Sequence, residues 1–172
     1  MSTAIASPAA ASLGDATRER FAREVAKYPA DQTQSAVMAC LSIVQQEQGW
    51  VSPASEQAVA DYLGMPVMAV HEVTTFYNMY NQKPVGRFKL NVCTNAPCMF
   101  AGGPEALRHL CGKLGVEPYG TTADGQFTVQ PSECLGACGD APVMLVNDRH
   151  MCSFMSNDKL DQLVDGLRQA ED

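Results

Sequence analysis

Hydrophobic and polar positions repeat with two different periods along the chain, and the period changes near residue 80. Over residues 18–80, apolar side chains recur every three or four positions, a spacing that predicts amphipathic helices. The apolar face of one predicted helix carries Val37, Cys40, Leu41 and Val44. Asp31, with Gln34 three residues later, has the spacing of a capping box and predicts the start of that helix. We therefore expect a helical bundle over residues 18–80.

Turn residues divide this bundle into separate helices. Gly49 follows the first apolar series, and Ser52-Pro53 has the composition of a helix start with proline at the first helical position. Gly64 ends the helix that begins there. A further helix follows Pro66, and its apolar series runs to Tyr80.

After a linker over residues 81–87, apolar and polar positions alternate with the period of a strand. The first predicted strand carries Phe88, Leu90 and Val92 and delivers Cys93 at its end. The elements expected after it are a helix over 102–114, a strand over 125–130, strands over 142–146 and 150–154 that form a hairpin across Asn147-Asp148, and a helix over 159–170. This order suits a thioredoxin-like sheet with helices packed against it. We therefore expect an α+β chain, in which an N-terminal helical bundle precedes a thioredoxin-like α/β domain over residues 88–172.

Composition and charge argue against two classes of partner. The 172 residues include 12 basic and 19 acidic side chains, and the formal net charge of -7 has the wrong sign for binding nucleic acid or anionic lipid. Residues 59–80 have the pattern of a helix-turn-helix, but residues 51–82 contain no lysine or arginine, which argues against DNA binding.

No apolar run approaches the roughly 20 residues of a membrane helix, so we expect no membrane insertion. Residues 1–17 are expected to form a mobile tail.

The candidate chemistry lies in the cysteines. Seven occur in the chain, and four of them form two pairs, with four residues between the first two and three between the second two. The paired cysteines are Cys93, Cys98, Cys134 and Cys138. Four thiolates crowded at one site repel each other unless a soft metal centre binds them. An iron-sulfur cluster is the leading interpretation.

Two other interpretations stay open on spacing alone. A structural zinc site usually contains at least one Cys-x2-Cys knuckle, and neither pair has that spacing. A thioredoxin-like dithiol also needs two intervening residues, and it leaves the second pair without a role. Plant-type and Rieske centres have other ligand patterns, and His71, His109 and His150 stand outside the pairs. Zinc and structural or redox cysteines are therefore the alternatives to a [2Fe-2S] cluster.

The residues around the pairs resemble a known family, the thioredoxin-like [2Fe-2S] ferredoxins. The similarity is carried by Pro97-Cys98-Met99 with Gly102-Gly103, by Glu133-Cys134-Leu135-Gly136-Ala137-Cys138, and by Ala141-Pro142-Val143. Within that family, the match is to the small cluster-bearing subunits of NADH-quinone oxidoreductase, respiratory complex I. The resemblance runs from about residue 20 to the end of the chain.

This resemblance implies a function and a set of partners. It implies one [2Fe-2S] cluster per chain, held by Cys93, Cys98, Cys134 and Cys138, and a role as an electron-transfer subunit of an oxidoreductase complex. The neighbouring flavin- and NADH-binding subunit then oxidises NADH, and the cluster accepts an electron from the reduced flavin. The large iron-sulfur subunit is a second expected partner. The implied location is cytoplasmic, peripheral on the cytoplasmic side of a bacterial inner membrane through the complex.

The chain alone is not expected to oxidise NADH. It contains no G-x-G-x-x-G motif after a strand and no P-loop, and we assign no catalytic residue. The equivalent diaphorase subunit of an NAD-linked hydrogenase or formate dehydrogenase, and a free-standing thioredoxin-like ferredoxin, are the alternative functions.

Several residues near and away from the pairs carry further expectations. Backbone N–H groups are expected to approach the cluster at the nearby glycines, which are Gly102, Gly103, Gly136 and Gly139. Asp140 would disfavour reduction if its carboxylate faced the cluster. The unpaired cysteines Cys40, Cys111 and Cys152 lie in apolar contexts, and we expect them to be small buried side chains without chemistry.

Overall fold

The chain divides into two compact units, and the boundary between them falls between Pro84 and Val85. The computed structural model describes residues 13–170. Within that range the first unit contains helices and no strand, whereas the second combines helices with a five-stranded sheet. The expected combination of helices and sheet in one chain is therefore confirmed. No helix in the described range is long and apolar enough to cross a membrane.

The first unit buries one face of each of its helices. Its elements are α1 (Asp15–Val25), a short 3-10 helix (Thr33–Ala36), α2 (Val37–Gln48), α3 (Pro53–Leu63) and α4 (Val67–Phe76). Apolar side chains from all four α-helices form one buried cluster, in which Phe21, Leu41, Val59 and Val70 each represent one helix. The helical period of the sequence therefore marks the buried faces of α2 and α3 correctly, whereas Val67 of the apolar series predicted for α4 is exposed.

Three predicted helix boundaries are confirmed in this unit. Gly49 and Gly64 follow α2 and α3 with left-handed φ values of 79° and 65°, which a residue without Cβ adopts at little cost. Ser52 caps α3, because its Oγ accepts a hydrogen bond from the Ser55 N–H at 3.1 Å.

Two expectations near the start of the unit need correction. The capping-box prediction is wrong, because Asp31 lies in a turn and Gln34 lies in the 3-10 helix that precedes α2. No side chain caps either of those two helices. Helix α1 begins at Asp15, inside the tail expected over residues 1–17, and residues 1–12 of that tail lie outside the described residues.

Helix α4 ends at Phe76, before the predicted end at Tyr80. The chain turns back onto α2 instead of continuing the helix. The Tyr80 side chain is buried there, and its hydroxyl donates a hydrogen bond to the Met38 carbonyl oxygen at 2.9 Å. Gln45 of α2 donates to the Met79 carbonyl oxygen at 2.8 Å. These contacts hold the residues after α4 against α2.

The second unit is built on a sheet with the strand order β2-β3-β1-β4-β5. Its strands are β1 (Phe88–Cys93), β2 (Gly120–Thr121), β3 (Phe127–Ser132), β4 (Met144–Val146) and β5 (His150–Cys152), and its helices are α5 (Ala96–Phe100), α6 (Gly103–Leu114) and α7 (Asn157–Gln169). β1 pairs in parallel with β3, and the other pairs are antiparallel. The sequence pattern predicts neither β2 nor α5, because each is too short to show a period.

One face of the sheet packs against α6 and α7. Side chains alternate along a strand, so Leu90 and Val92 of β1 face the same side as Val129, the register partner of Leu90. These residues form one buried cluster with Leu110 of α6 and Leu160 of α7. Parallel strands need a crossover connection, and α6 lies within it. This core holds side by side the two strands that lead to the paired cysteines.

The predicted hairpin between β4 and β5 is confirmed, and it is anchored to β1. Asn147 and Asp148 have φ values of 51° and 55°, as the two central residues of a type I′ turn require. The Asp148 carboxylate accepts hydrogen bonds from the Lys89 ammonium group and from the Asn91 amide, each at 2.6 Å. Because the Lys89 side chain is only 2% exposed, this ion pair compensates a buried charge.

An ion-pair cluster links α6 to α7. His109 Nε2 and Lys113 Nζ lie 2.8 and 3.3 Å from Asp161 Oδ1. The hydrogen bond from His109 is the largest cause that lowers the pKa of Asp161 below its ordinary value of 3.8, and Lys113 lowers it further. A carboxylate whose pKa is lowered by folding stabilises the fold above its unfolded pKa and loses this effect as the pH falls through its folded value.

We expect Asp161→Asn to lower the melting temperature at neutral pH, because the variant loses the ion pairs that hold α7 to α6. The difference from the parent should shrink as the pH falls below 3.8, where the parent carboxylate also becomes protonated. Thermal unfolding followed by circular dichroism across that range measures both effects. Glu105→Gln, which breaks an exposed pair with Arg108 within α6, is the control and should change the melting temperature less. A difference that grows toward low pH would contradict this account.

Candidate metal centre

The paired cysteines lie at one edge of the sheet. Cys93 is the last residue of β1, and Cys98 lies in α5, which follows closely. Cys134 and Cys138 come after β3, whose last residue, Ser132, is the register partner of Cys93. Because parallel strands end at the same edge of a sheet, the two pairs meet there although they are distant in sequence.

The two pairs differ in exposure. Cys93 and Cys98 are 2% and 1% exposed, and they form a small buried cluster with Val143. Cys134 and Cys138 are exposed, and their Sγ atoms lie 3.9 Å apart. The site therefore has a buried side, formed by β1 and α5, and an open side, formed by the loop after β3.

The thiols are close enough to raise one another's pKa. Burial is the largest cause that raises the pKa of Cys98, and the thiols of Cys93 and Cys138 raise it further, while a backbone hydrogen bond of Val143 acts in the opposite direction. The interaction with Cys134 is the largest cause that raises the pKa of Cys138, and Cys93 also contributes. The thiols of both pairs therefore influence each other. Four thiolates at this place need a cation to compensate their charge.

Backbone N–H groups lie beside the sulfur atoms. The Gly136 N–H donates a hydrogen bond to Cys134 Sγ at 3.4 Å, and its φ of 77° is one that glycine adopts without strain. On the buried side, the Cys93 N–H donates to the Val143 carbonyl oxygen at 3.1 Å, which fixes the end of β1. Gly139 lies in the 3-10 turn Cys138–Asp140, where an added Cβ would meet open space, so this position does not require glycine.

Helix α6 approaches the first pair through a glycine. A Cβ on Gly103 would lie 2.9 Å from the Cys98 carbonyl oxygen and still closer to the Cys93 carbonyl oxygen. Glycine is therefore needed at this position so that the first turn of α6 can pack against both residues. The positive end of the helix dipole lies beside α5, the short helix that carries Cys98.

The donor set fits a two-iron cluster. Four cysteine sulfurs in two pairs supply two thiolates for each iron of a [2Fe-2S] centre. Across residues 13–170, no group of three or more His, Cys, Asp or Glu side chains is placed to hold a single metal ion. Two of the histidines have carboxylate partners of their own, since His71 contacts Glu56 and His109 contacts Asp161.

The Asp140 carboxylate has a partner outside the cysteine pairs. Its Oδ2 accepts a hydrogen bond from the Ser153 hydroxyl at 2.9 Å, and its backbone carbonyl accepts one from the Phe154 N–H at 2.8 Å. Asp140 therefore ties the end of the second ligand loop to the residues after β5. The hydrogen bond from Ser153 stabilises the Asp140 carboxylate.

The unpaired cysteines lie in other elements than the pairs. Cys40 is buried in the core of the first unit, and Cys111 of α6 and Cys152 of β5 are half-buried. Burial is the largest cause that raises the pKa of each, to about 12 for Cys40. A raised pKa keeps these thiols protonated. The expected burial is confirmed for Cys40, whereas Cys111 and Cys152 are only partly buried.

The structure shows a contact between the segment of the first cysteine pair, residues 93–98 (the first ligand loop), and the segment of the second pair, residues 133–140 (the second ligand loop). The sequence contains no signal for it. Asn95 begins α5, where its Oδ1 accepts a hydrogen bond from the Ala96 N–H at 3.2 Å. Its Nδ2 donates to Glu133 Oε2 at 2.6 Å. Because Glu133 directly precedes Cys134, this hydrogen bond connects the loop of the first pair with the loop of the second. Periodicity does not reveal such a contact, since both residues lie outside regular elements or at their ends.

Comparison with known proteins decides the family. The family described as thioredoxin-like [2Fe-2S] ferredoxin has a model that matches residues 21–168. The chain belongs to the thioredoxin-like [2Fe-2S] ferredoxin family. The predicted family is thereby confirmed, and the predicted [2Fe-2S] cluster is the cofactor of this ferredoxin-family chain.

Relatives of this thioredoxin-like ferredoxin chain are subunits of NADH-quinone oxidoreductase. The E subunit of that enzyme from Rickettsia conorii is 37% identical over 145 residues, which are 84% of this chain and 86% of the relative. Its counterpart from Thermus thermophilus, named subunit 2, is 39% identical over 143 residues, 83% of this chain and 79% of the relative. A counterpart from Rhizobium meliloti is 40% identical over 154 residues, 90% of each chain.

A solved structure shares the fold. One chain of the NAD+-reducing [NiFe]-hydrogenase in its H2-reduced state matches with a TM-score of 0.67 and 21% sequence identity. The match covers 79% of this ferredoxin-family chain but only 23% of the hydrogenase chain, so this chain spans less than a quarter of that protein. At this identity, the likeness shows the fold alone.

We expect Gly103→Ala to destabilise the fold by about 1–3 kcal/mol, because the added methyl group overlaps the Cys93 and Cys98 carbonyl oxygens. The iron content per folded chain should fall with it. Gly112→Ala in the same helix is the matched control, since nothing lies within 4 Å of its added Cβ. This control should stabilise the chain by about 0.4–1 kcal/mol. Denaturant unfolding and iron analysis measure both variants, and equal behaviour of the two would contradict the packing role of Gly103.

Proposed function

We propose that the chain is an electron-transfer subunit of an NADH-quinone oxidoreductase, respiratory complex I. The observation that carries the proposal is an identity of 37–40% with subunits of that enzyme, over 79–90% of the relatives' own lengths. The convergence of four cysteines at one sheet edge supports it, because an electron carrier of this family needs a place for its cluster. The chain takes part in the enzyme as a subunit and has no catalytic residue of its own.

Cys93, Cys98, Cys134 and Cys138 are the proposed ligands, and together they would supply the four thiolates that a [2Fe-2S] cluster needs. A [2Fe-2S] cluster held there would supply one-electron chemistry, and the reduced flavin of a neighbouring NADH-oxidising subunit is the proposed source of the electron. The 3.9 Å separation of the exposed sulfurs and the interaction among the four thiols support this ligand set.

The chain's own contribution is to fix four sulfurs and to offset their negative charge. The Gly136 N–H donates a hydrogen bond to Cys134 Sγ. The N-terminus of α6, which is the positive end of its dipole, lies beside α5, the helix that carries Cys98. β1 and α5 exclude water from Cys93 and Cys98. The exposed pair leaves the opposite side of the site accessible to a partner protein.

The proposed partners are the flavin- and NADH-binding subunit and the large iron-sulfur subunit of the same complex. A net charge of -7 supports protein partners and opposes binding to nucleic acid or anionic lipid. The proposed location is the cytoplasmic side of a bacterial inner membrane, where the chain is peripheral and held through the complex. The bacterial origin of the relatives supports this location.

The two compact units are proposed to act as two domains. The first is a helical bundle, predicted over residues 18–80 and beginning with α1 at Asp15, and the second is a thioredoxin-like domain over residues 88–172, with residues 81–87 as the linker. Their separate hydrophobic cores support this division, since among residues 13–170 no buried core residue of one unit belongs to the core of the other. A free-standing ferredoxin would have no use for the helical domain, which favours a subunit of a larger assembly.

The second candidate function is the equivalent diaphorase subunit of an NAD-linked hydrogenase or formate dehydrogenase. The fold shared with the NAD+-reducing hydrogenase chain favours it. Affinity capture from the native host distinguishes the two, because complex I subunits or hydrogenase subunits would come with the chain.

The ligand proposal predicts which cysteine variants lose iron. The parent chain should contain two irons and two acid-labile sulfides, and it should give a rhombic electron paramagnetic resonance signal after reduction with dithionite. Alanine at Cys93, Cys98, Cys134 or Cys138 should sharply lower the iron per folded chain, because metal binding and folding are coupled.

Serine at the unpaired cysteines is the control for this prediction. Cys40→Ser, Cys111→Ser and Cys152→Ser should keep the cluster and cost at most about 1–3 kcal/mol, the penalty of a hydroxyl in an apolar site. Stoichiometric zinc in the parent chain would refute the cluster. Full iron in a variant of one of the four proposed ligands would refute that ligand.

The chain alone should not oxidise NADH, because it lacks a nucleotide-binding motif. In anaerobic solution, NADH should leave the visible absorption of the cluster-loaded chain unchanged. This absorption should bleach once the flavin-bearing subunit is added. The Cys138→Ala chain, mixed with the same flavin subunit, is the control for absorption changes of the flavin itself. Tight NADH binding by the isolated chain in calorimetry would contradict this prediction.

A further inference from the structure

We propose that the hydrogen bond between Asn95 and Glu133 is a latch that holds the second ligand loop against the first and sets how firmly the chain retains its cluster. The proposal rests on the proposed function, because it takes the paired cysteines as the ligands. Asn95 and Glu133 act as positioning residues in it, through the loops that carry Cys98 and Cys134.

The geometry of Asn95 fixes the direction of this hydrogen bond. Its Oδ1 accepts the Ala96 N–H at 3.2 Å, so the other polar atom of the amide, Nδ2, is the one that faces Glu133. An oxygen there would meet a carboxylate oxygen at 2.6 Å without a proton between them. Asn95 therefore has two functions at once, since it caps α5 with one atom and binds the second loop with the other. A hydrogen bond to a charged acceptor is stronger than one between neutral groups.

The first ligand loop is held by the fold itself. Cys93 belongs to the ladder between β1 and β3, and Cys98 is 1% exposed beside the backbone of Gly103. Opening this loop would expose buried side chains. Its sulfurs therefore keep their positions without help from the latch.

The second ligand loop is held by fewer contacts. Leu135 and Ala137 are only partly buried where they pack against the first pair. At the far end of the loop, Asp140 binds Ser153 and the Phe154 N–H. At the near end, β3 stops at Ser132, whose hydroxyl donates a hydrogen bond to the Glu133 carbonyl oxygen at 3.1 Å, and the latch at the Glu133 side chain is the contact that reaches the first ligand loop.

The exposed pair is therefore the place where the cluster first comes loose, and the latch limits how often that happens. Glu133 is covalently next to Cys134, so a hydrogen bond that ties it to α5 restricts the motion of the ligand directly. Loss of the latch should increase the rate of cluster loss by about five- to tenfold, as expected for one typical hydrogen bond at the surface.

An exchange of donor and acceptor tests the proposal. Asn95→Asp keeps an oxygen to cap α5 but turns a second carboxylate toward Glu133, which should open the latch. The double variant Asn95→Asp/Glu133→Gln restores a hydrogen bond, with the donor now on residue 133, and has the same net charge as the parent. We expect the single variant to lose its cluster about five- to tenfold faster, and the double variant to return to within about twofold of the parent.

The measurement is the anaerobic bleaching of the visible absorption of the cluster-loaded chain in excess iron chelator. Gln57→Glu is the matched control, because Gln57 donates to Asp61 at 2.8 Å in the first unit and the change adds the same charge at the same kind of pair. Gln57→Glu should leave the rate of cluster loss unchanged.

If Asn95→Asp does not fold, Glu133→Ala opens the latch without adding a charge and should lose its cluster as fast as expected for Asn95→Asp. Glu133→Gln should lose its cluster at a rate close to that of the parent.

The outcomes separate the latch from the proposed function. A parent chain that binds no iron overturns the proposed function and the latch together. A parent with two irons, whose Asn95→Asp variant bleaches at the parent rate, overturns the latch alone. The same holds if the double variant stays as labile as the single one, because a role of Asn95 in capping alone would give no rescue from residue 133. Rescue by the double variant supports the latch.

Discussion

β1 and β3 run side by side in the same direction, and Cys93 lies opposite Ser132 at their ends. Each strand therefore brings one cysteine pair to the same edge of the sheet, although the crossover through α6 separates the pairs along the chain. The apolar residues that keep the strands parallel belong to the cluster with α6 and α7. The geometry of the metal centre thus depends on a core that contains none of the four paired cysteines.

The same arrangement makes the site unequal on its two sides. The first pair lies where β1 leads into α5, close to the backbone of Gly103, and it is buried. The second pair lies in a loop after the end of β3, and it is exposed. A charge on the buried side has only protein groups around it, whereas a charge on the exposed side is also stabilised by water or by a partner. Electron transfer to a partner protein suits the exposed side for this reason.

The sequence predicts the parts of this fold whose burial creates a period. β1 and the helices α6 and α7 are found because one face of each is apolar, and the hairpin is found because Asn147-Asp148 suits a type I′ turn. Helix α5 is too short to have a period. Lys89 alternates like an exposed residue but is buried, because Asp148 of the turn compensates its charge. The unequal exposure of the cysteine pairs also depends on packing between distant segments, which spacing along the chain does not contain.

The loop of the second pair nevertheless has an alternation that helps to form the site. Cys134, Gly136 and Cys138 are exposed, whereas Leu135 and Ala137 between them are half-buried against the first pair. The two apolar side chains hold the loop close to the buried cysteines by contacts that need no metal. A loop that is already held in place loses less conformational entropy when its cysteines bind a cluster. Hydrophobic contacts thereby preorganise this loop, and polar contacts at its two ends limit how far it opens.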